Sequence, residues 1–166
     1  MNYTLPYDKF KTYGVSPEDY PLEKYTDQSS EDLRSSIRAI ERRLDNLHID
    51  AALLVEVLPL TPGKKFWTLQ EINWDDPILQ ETDIFETCKE LEHKKFLLEN
   101  VVKLRKAIED DNVDRILAQD KAYTWGKNYT DDQLKTFFKQ HHMSTGFFDL
   151  TWALVENPHF LDGVVL

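Results

Sequence analysis

Acidic and histidine side chains spaced three residues apart are the first candidates for chemistry in this sequence. Three such pairs are present: Asp45 and His48, Glu90 and His93, and Glu156 and His159. Residues three apart share one face of a helix, and Glu-x-x-His pairs on facing helices hold the metals of di-iron carboxylate proteins. Because the first two pairs fall in two predicted long helices, Asp45, His48, Glu90 and His93 define one hypothesis, a helical metal-binding protein of di-iron type.

The surroundings of these pairs favour a solvated surface over a metal site. The first pair lies beside the apolar seam of its helix, and Lys94 and Lys95 follow the second pair directly. Pro158 interrupts the helical spacing of the third pair. The prediction is therefore that no metal and no other cofactor is bound, with the metal-binding protein kept as the alternative.

No pattern indicates nucleophilic catalysis or phosphate binding. Cys88 falls on the apolar face of a predicted helix, where a buried thiol is typical. No serine stands in a Gly-x-Ser-x-Gly context, and the five glycines are too far apart to surround a phosphate. His141 lies on the apolar face of its predicted helix and is interpreted as a core histidine. The chain is predicted not to be an enzyme.

Composition limits the partners. The 166 residues include 30 acidic and 20 basic side chains, a formal charge of −10. That balance argues against a nucleic-acid or anionic-lipid surface and favours a basic protein partner. One cysteine fits a reducing compartment, and the start has no secretory signal. The longest weakly charged apolar run is too short to span a membrane, so the predicted location is cytoplasmic.

The strongest structural pattern is an apolar heptad seam after Ser29, which is predicted to be the N-cap of a helix with acidic residues in its first turn. Its members are Leu33, Ile37, Ile40, Leu44, Leu47, Ala51, Leu54 and Leu58. Steps of four and three alternate without interruption, which predicts a long helix over about 30–58 with a coiled-coil type of seam. The Leu33–Leu58 seam also suits self-association, and a buried strand over 51–58 is the alternative for its last part.

A second long helix is predicted over about 77–109. Asp76 and Pro77 have the types preferred at the N-cap and at the first helical position, and a break is expected near Thr82 and Asp83. The connector 59–76 is apolar enough to pack, with a short hairpin possible in it. The two long helices are predicted to form an antiparallel hairpin.

Three shorter helices are expected after the hairpin and packed on it. They are predicted over about 113–123, from Thr130 with a Thr-x-x-Gln capping box, and from Ser144 or Thr145 to Glu156. Their aromatic residues are interpreted as core, with a ligand pocket between the short helices as the alternative. The predicted fold class is thus all-α.

Residues 1–29 differ from the rest because they are rich in tyrosine and proline and poor in aliphatic residues. The pattern predicts an extended aromatic arm attached to a single helical domain over 30–166. The expected partner-binding residues are Tyr3, Tyr7, Phe10, Tyr13, Tyr20 and Tyr25. The predicted function is non-catalytic protein–protein interaction, as an accessory subunit, adaptor or inhibitor/immunity-type protein. Deleting residues 1–28 is then expected to abolish partner binding and to leave helix content nearly intact.

Overall fold

A computed structural model describes residues 7–55, 74–144 and 147–166, and all regular secondary structure in these ranges is helical. The helices are α1 Tyr7–Tyr13, α2 Ser30–Val55, α3 Pro77–Gln80, α4 Ile84–Glu109, α5 Val113–Gly126, α6 Asp131–Gln140 and α7 Phe148–Glu156. Two 3-10 turns, Pro17–Asp19 and Leu22–Tyr25, lie between α1 and α2. The all-α prediction is confirmed for these ranges. None of their helices is long and apolar enough to cross a membrane.

Three helix starts carry the side-chain caps that the sequence predicts. Ser29, Asp76 and Thr130 each accept a hydrogen bond from a backbone N–H two or three positions later, at 3.0, 3.0 and 3.2 Å. Such caps satisfy backbone donors that the first turn leaves without partners. The expected break in the second long helix separates α3 from α4. The connector 59–73 and Leu58 lie outside the described residues.

The chain divides into two compact units. The terminal unit comprises Met1–Thr26 and Lys103–Leu166, and the middle unit comprises Asp27–Val102. The predicted division placed the boundary at residue 29 and kept 30–166 together, whereas this grouping joins the N-terminal segment to the C-terminal helices. The middle unit holds 16 acidic and nine basic side chains, so it carries −7 of the formal charge of −10.

In the middle unit, α2 buries most of its predicted seam. Leu33, Ile40, Leu44 and Ala51 are buried, and Ala51 packs with Leu79 of α3. Further along, Leu54 is 42% exposed, so the seam is not covered at that position. The buried members are already covered within the chain, and they are not available to a second copy while the fold is intact.

In the terminal unit, the N-terminal segment forms α1 and two 3-10 turns where the sequence predicts an extended arm. Helix α1 ends in a Schellman motif, because Gly14 has φ +66° and Val15 N–H donates to the Phe10 carbonyl at 2.9 Å. Val15 and Phe10 are both buried. Glycine suits this left-handed position because it has no Cβ to clash.

The aromatic rings of this segment are buried in the terminal unit. Phe10, Tyr13, Tyr20 and Tyr25 are each less than 9% exposed, and Phe10 stacks on Tyr20 with centroids 5.5 Å apart. Helix α1 packs on α5. The tyrosine hydroxyls are partnered by carboxylates of α5: Tyr13 with Asp114 at 3.2 Å, and Tyr20 with Asp120 at 2.7 Å. The N-terminal segment is therefore a structural part of the terminal unit.

These two tyrosines predict a loss of stability in alkali. Burial, with the nearby charge and hydrogen bond of Asp114, raises the pKa of Tyr13 to about 12 from its usual 10.0. Burial and Asp120 raise the pKa of Tyr20 as well. Since both folded-state pKa values lie above the unfolded value, the stabilisation is complete below pH 10 and decreases as the pH rises from 10 towards 12. Urea midpoints measured from pH 8 to 11.5 should fall steeply above pH 10.

The matched variant is the double substitution Tyr13→Phe and Tyr20→Phe. Phenylalanine retains the ring but cannot ionise, so the decline above pH 10 should become shallower even if stability at pH 8 is lower. An unchanged slope in the double variant would contradict the assignment to these two hydroxyls.

Candidate functional site

Four of the six residues predicted to bind a partner lie in the core of the terminal unit. Phe10, Tyr13, Tyr20 and Tyr25 are buried there. Tyr3 and the side chain of Tyr7 lie outside what the structure describes. A ring already packed in the protein's own core is not available to a partner while the fold is intact, so a candidate surface has to be sought elsewhere.

The residues of the metal hypothesis are not gathered into a ligand set. His48 is buried, Asp45 is half-buried, and Glu90 and His93 are exposed. Within the described ranges, no three His, Cys, Asp or Glu side chains come together where they could share an ion. Among these ranges the four residues do not form the compact carboxylate and histidine cluster that a di-iron site requires.

Two further side chains considered from the sequence are also placed. Cys88 is buried, and burial together with the charge of Glu92 raises the pKa of its thiol to about 11. The thiol is therefore protonated at neutral pH, which makes it a poor nucleophile. The prediction that His141 is a core residue is wrong, because His141 is exposed at the C-cap of α6, although its ring contacts Phe137 with centroids 4.4 Å apart.

A cleft between α5 and α7 presents aromatic rings on the surface. We call it the aromatic cleft; it is lined by Arg115, Gln119, Tyr123, Phe147, Phe148, Thr151 and Trp152. The α5 members are four residues apart and so align along one face of that helix. Phe148 and Trp152 have the same spacing on α7, with ring centroids 6.3 Å apart. Between the two rows lies a cavity of about 140 Å³.

Helices α5 and α7 pack together, and each buries small or apolar side chains. Leu117, Ala118 and Ala122 of α5 are buried, as are Leu150 and Leu154 of α7. Alanines allow close approach of the backbones, and α5 and α7 make the most extensive contact among the described helix pairs. The buried residues fix which faces of α5 and α7 point outwards, and these are the faces that line the cleft.

Three large rings of the cleft are exposed rather than packed. Tyr123, Phe148 and Trp152 are 48%, 63% and 43% exposed. Single exposed apolar residues are ordinary on protein surfaces, but contiguous aromatic groups rimmed by polar residues mark sites of interaction. Tyrosine, tryptophan and arginine are also the residue types that most often dominate binding energies. The composition of the cleft is therefore typical of a protein-binding surface.

Phe147 contributes a half-buried ring to the cleft and is supported from the core side. It meets Phe138 edge to face with centroids 5.4 Å apart, and its centroid lies 4.7 Å from that of Tyr123. Gly126, the last residue of α5, leaves the space for this ring, because a Cβ added there would lie 2.6 Å from Phe147 Cζ. A larger residue at this position would displace the ring of Phe147, so glycine is favoured here by close approach and not by backbone conformation.

Substitution Gly126→Ala tests this packing. In a helix, alanine is ordinarily more stable than glycine by about 0.5–1 kcal/mol. Here the overlap with Phe147 should reverse the sign and lower the free energy of unfolding by about 1–3 kcal/mol, measured by urea denaturation. The double variant Gly126→Ala with Phe147→Ala should recover part of that loss relative to Phe147→Ala alone. A stabilised Gly126→Ala variant would contradict the contact.

The polar groups of the cleft remain available for binding. Among the described residues, the side chains of Arg115, Gln119, Tyr123 and Trp152 have no hydrogen bond or ion pair. Thr151 differs, since its hydroxyl donates to the Phe147 carbonyl at 2.7 Å within the first turn of α7. Arginine and tryptophan can only donate hydrogen bonds. The cleft therefore combines aromatic rings with polar groups that a ligand can satisfy.

A larger groove of about 440 Å³ lies elsewhere in the terminal unit, and several of its polar side chains are already paired within the protein. Asp162 accepts from His159 Nδ1 at 2.9 Å, and its other carboxylate oxygen lies 3.9 Å from Lys121 Nζ. Asp120 accepts from Tyr20. The first two pairings involve the C-terminal turn and the third joins the N-terminal segment to α5, so we interpret the groove as structural.

The sequence matches no protein-family model, no curated protein and no solved structure at a significant level. The function is therefore inferred from the residues and geometry of the aromatic cleft. Its spacing pattern was visible in the sequence, but its exposure was not, because exposure depends on how α5 and α7 pack.

Proposed function

We propose that this chain is a non-catalytic protein–protein interaction protein, an accessory subunit, adaptor or inhibitor/immunity-type protein, which binds its partner through the aromatic cleft. The observation that carries the proposal is the exposure of Tyr123, Phe148 and Trp152 around one cavity. This differs from the surface predicted from the sequence, since the four described aromatic side chains of that surface, Phe10, Tyr13, Tyr20 and Tyr25, are buried in the core.

Leaving these rings exposed to water is unfavourable in free energy. Burial of apolar surface contributes roughly 25 cal/mol per Å². A partner that covers three partly exposed rings recovers part of that free energy, and the rings lose little conformational freedom because aromatic side chains have only two torsions. Binding energy is then concentrated at the centre of the interface, as in most measured interfaces.

The charge distribution supports a further part of the proposal. The formal charge of −10 is concentrated in the middle unit, and a basic partner would be attracted to it at long range.

We also propose that α2 and α4 form the antiparallel hairpin. An ion pair links the two helices, since Lys95 Nζ lies 3.7 Å from Glu41 Oε1. We also propose a cytoplasmic location, because a chain with a single cysteine fits a reducing compartment.

The proposal is tested by comparing captured proteins between matched surface variants. Tagged full-length chain, the Phe148→Ser variant and the Phe96→Ser variant would be expressed in cells of the source organism and purified under identical conditions. Phe96 is the control because it is an exposed phenylalanine of α4 that does not line the cleft. Circular dichroism would establish that both variants retain the helix content of the unmodified chain.

Quantitative mass spectrometry should find at least one protein retained by the unmodified chain and by Phe96→Ser but depleted about tenfold or more by Phe148→Ser, the ratio for one interface residue worth about 1.4 kcal/mol. If the three samples capture the same proteins in the same amounts, the cleft is not the binding surface and the proposed function is overturned.

A further inference from the structure

The aromatic cleft also indicates which kind of partner segment it takes, an inference that rests on the proposed function. We infer that the cleft binds a protein segment in which an apolar side chain stands next to a carboxylate. The apolar side chain fills the cavity, and the carboxylate pairs with Arg115.

The size of the cavity determines which apolar side chain of the partner segment can be inserted. A cavity of about 150 Å³ accommodates a benzene ring, and the cavity between α5 and α7 has about 140 Å³. The volume is therefore similar to that of one phenylalanine or leucine side chain. The walls are the rings of Tyr123, Phe147, Phe148 and Trp152, which can contact an inserted ring edge to face or offset.

Among the described residues that line the cleft, Arg115 alone is charged, and it determines the polar group that the partner segment should carry. Arg115 is exposed and forms no ion pair with any other described residue. Its guanidinium presents a planar set of donors that matches a carboxylate. The indole of Trp152 adds a further donor and no acceptor, whereas Gln119 and Tyr123 can both donate and accept, so a ligand that accepts hydrogen bonds can be bound by all four side chains.

The positive charge of Arg115 is opposite in sign to the net charge of the whole chain. A net charge of −10 acts over the distance of a Debye length and affects how fast a partner approaches. The contact inside the cleft is instead decided by the nearest charge, which is the cation of Arg115. A partner with a basic surface and one acidic residue beside its apolar anchor satisfies both conditions.

An arginine among aromatic rings also occurs in sites that stack nucleic-acid bases. Nucleic-acid binding, however, requires several cations along the path of the backbone. The cleft offers one, and the terminal unit that contains it holds 14 acidic and 11 basic side chains. A protein segment is therefore the favoured occupant of the cleft, and an oligonucleotide is included in the experiment as a competing ligand.

The experiment uses two blocked dipeptides that differ in charge alone, acetyl-Phe-Asp-amide and acetyl-Phe-Asn-amide. Each would be titrated into the isotope-labelled full-length chain at low ionic strength and followed by two-dimensional amide NMR, with a thymidine decanucleotide as the competing ligand. The variant is Arg115→Met, which retains much of the side-chain length without the charge. Arg43→Met is the control, because Arg43 is an exposed arginine of α2 that does not line the cleft.

The aspartate peptide should bind about threefold more tightly than the asparagine peptide, as expected for one exposed ion pair. The difference should vanish in Arg115→Met, persist in Arg43→Met, and shrink with added salt. Shifts should be confined to residues of α5 and α7 that line the cleft.

Three results would overturn the inference: equal binding of the two peptides or binding of neither, a charge preference that survives Arg115→Met, or tighter binding of the decanucleotide than of either peptide. These results are separable from a failure of the proposed function. If Phe148→Ser loses a captured protein while the peptides are not discriminated, the function stands and the carboxylate preference falls. If Phe148→Ser captures the same proteins as the unmodified chain, the function falls, and this inference falls with it.

Discussion

Removal of residues 1–26 is expected to unfold the terminal unit, in contrast to the sequence-based expectation that this segment is a detachable arm. The segment contributes six buried apolar side chains, among them Phe10 and Tyr20. Truncating a single buried phenylalanine to alanine costs about 3–5 kcal/mol, and a typical domain has only about 5–15 kcal/mol of stability in total. Loss of the whole segment is therefore larger than the fold can tolerate.

The effect of the deletion is measured by circular dichroism and by urea denaturation of the shortened chain. The shortened chain should have a lower helix content, and the cooperative unfolding transition of the terminal unit should be absent. A point variant gives a finer measurement. Phe10→Ala should lower the free energy of unfolding by about 3–5 kcal/mol, and the exposed neighbour substitution Lys11→Ala should change it by no more than about 0.5 kcal/mol. A deleted chain with unchanged helix content would restore the interpretation as an arm.

This prediction also changes what a binding experiment with the deleted chain would mean. Loss of partner binding on deletion of residues 1–28 would follow from unfolding of α5 and α7 alone. Such a result would carry no information about contacts of the N-terminal segment with a partner, which is why the tests above use exposed residues of the cleft.

Arg105→Ala is expected to produce the second large loss of stability, about 2–4 kcal/mol. Arg105 is only 4% exposed, and its Nη2 donates a hydrogen bond to the Tyr25 carbonyl at 2.6 Å. Hydrogen bonds from charged donors contribute about 1.5–3 kcal/mol, and a buried acceptor left without a partner adds a desolvation cost. Removal of the aliphatic stem also leaves a void. The bond joins α4 to the N-terminal segment within the terminal unit.

The control for this variant lies two residues earlier on the same helix. Lys103 is exposed, so Lys103→Ala should change the free energy of unfolding by no more than about 0.5 kcal/mol. Both variants would be followed by urea denaturation at pH 7. Equal midpoints for Arg105→Ala and the unmodified chain would show that the hydrogen bond to Tyr25 contributes nothing to folding.

The parts of the fold predicted from the sequence are those that depend on near neighbours. A cap at Ser29, Asp76 or Thr130 involves residues two or three positions apart, so both partners stand together in the sequence. The break between α3 and α4 was visible for the same reason. The α2 seam was equally local, because its period alone identifies the face that is buried.

The N-terminal segment was not predicted correctly because its partners are distant. Tyr20 is held by Asp120, one hundred residues later, and no local pattern identifies that pairing. One local signal was present: Gly14 preceded by aromatic residues and followed by Val15 fits the end of a helix with a left-handed glycine. The prolines and the scarcity of aliphatic residues, in contrast, favour an extended chain.

The candidate site was only partly predictable. The aromatic residues of the short helices were interpreted as core, and Phe137 and Phe138 are indeed buried. Tyr123, Phe148 and Trp152 are exposed instead, because α5 and α7 bury their alanine and leucine faces against each other. The sequence shows which residues share a helix face, but packing decides which face is covered.

The assembly of the terminal unit from both ends of the described chain has a consequence for its synthesis. The residues that Tyr13 and Tyr20 bond are made about one hundred residues later, an interval of roughly 5–20 s at about 5–20 residues per second. During that time the middle unit has been completed, while the rings of the N-terminal segment have no α5 to cover them. On the ribosome, the segment buried in the finished protein is thus the one that most needs protection from premature association.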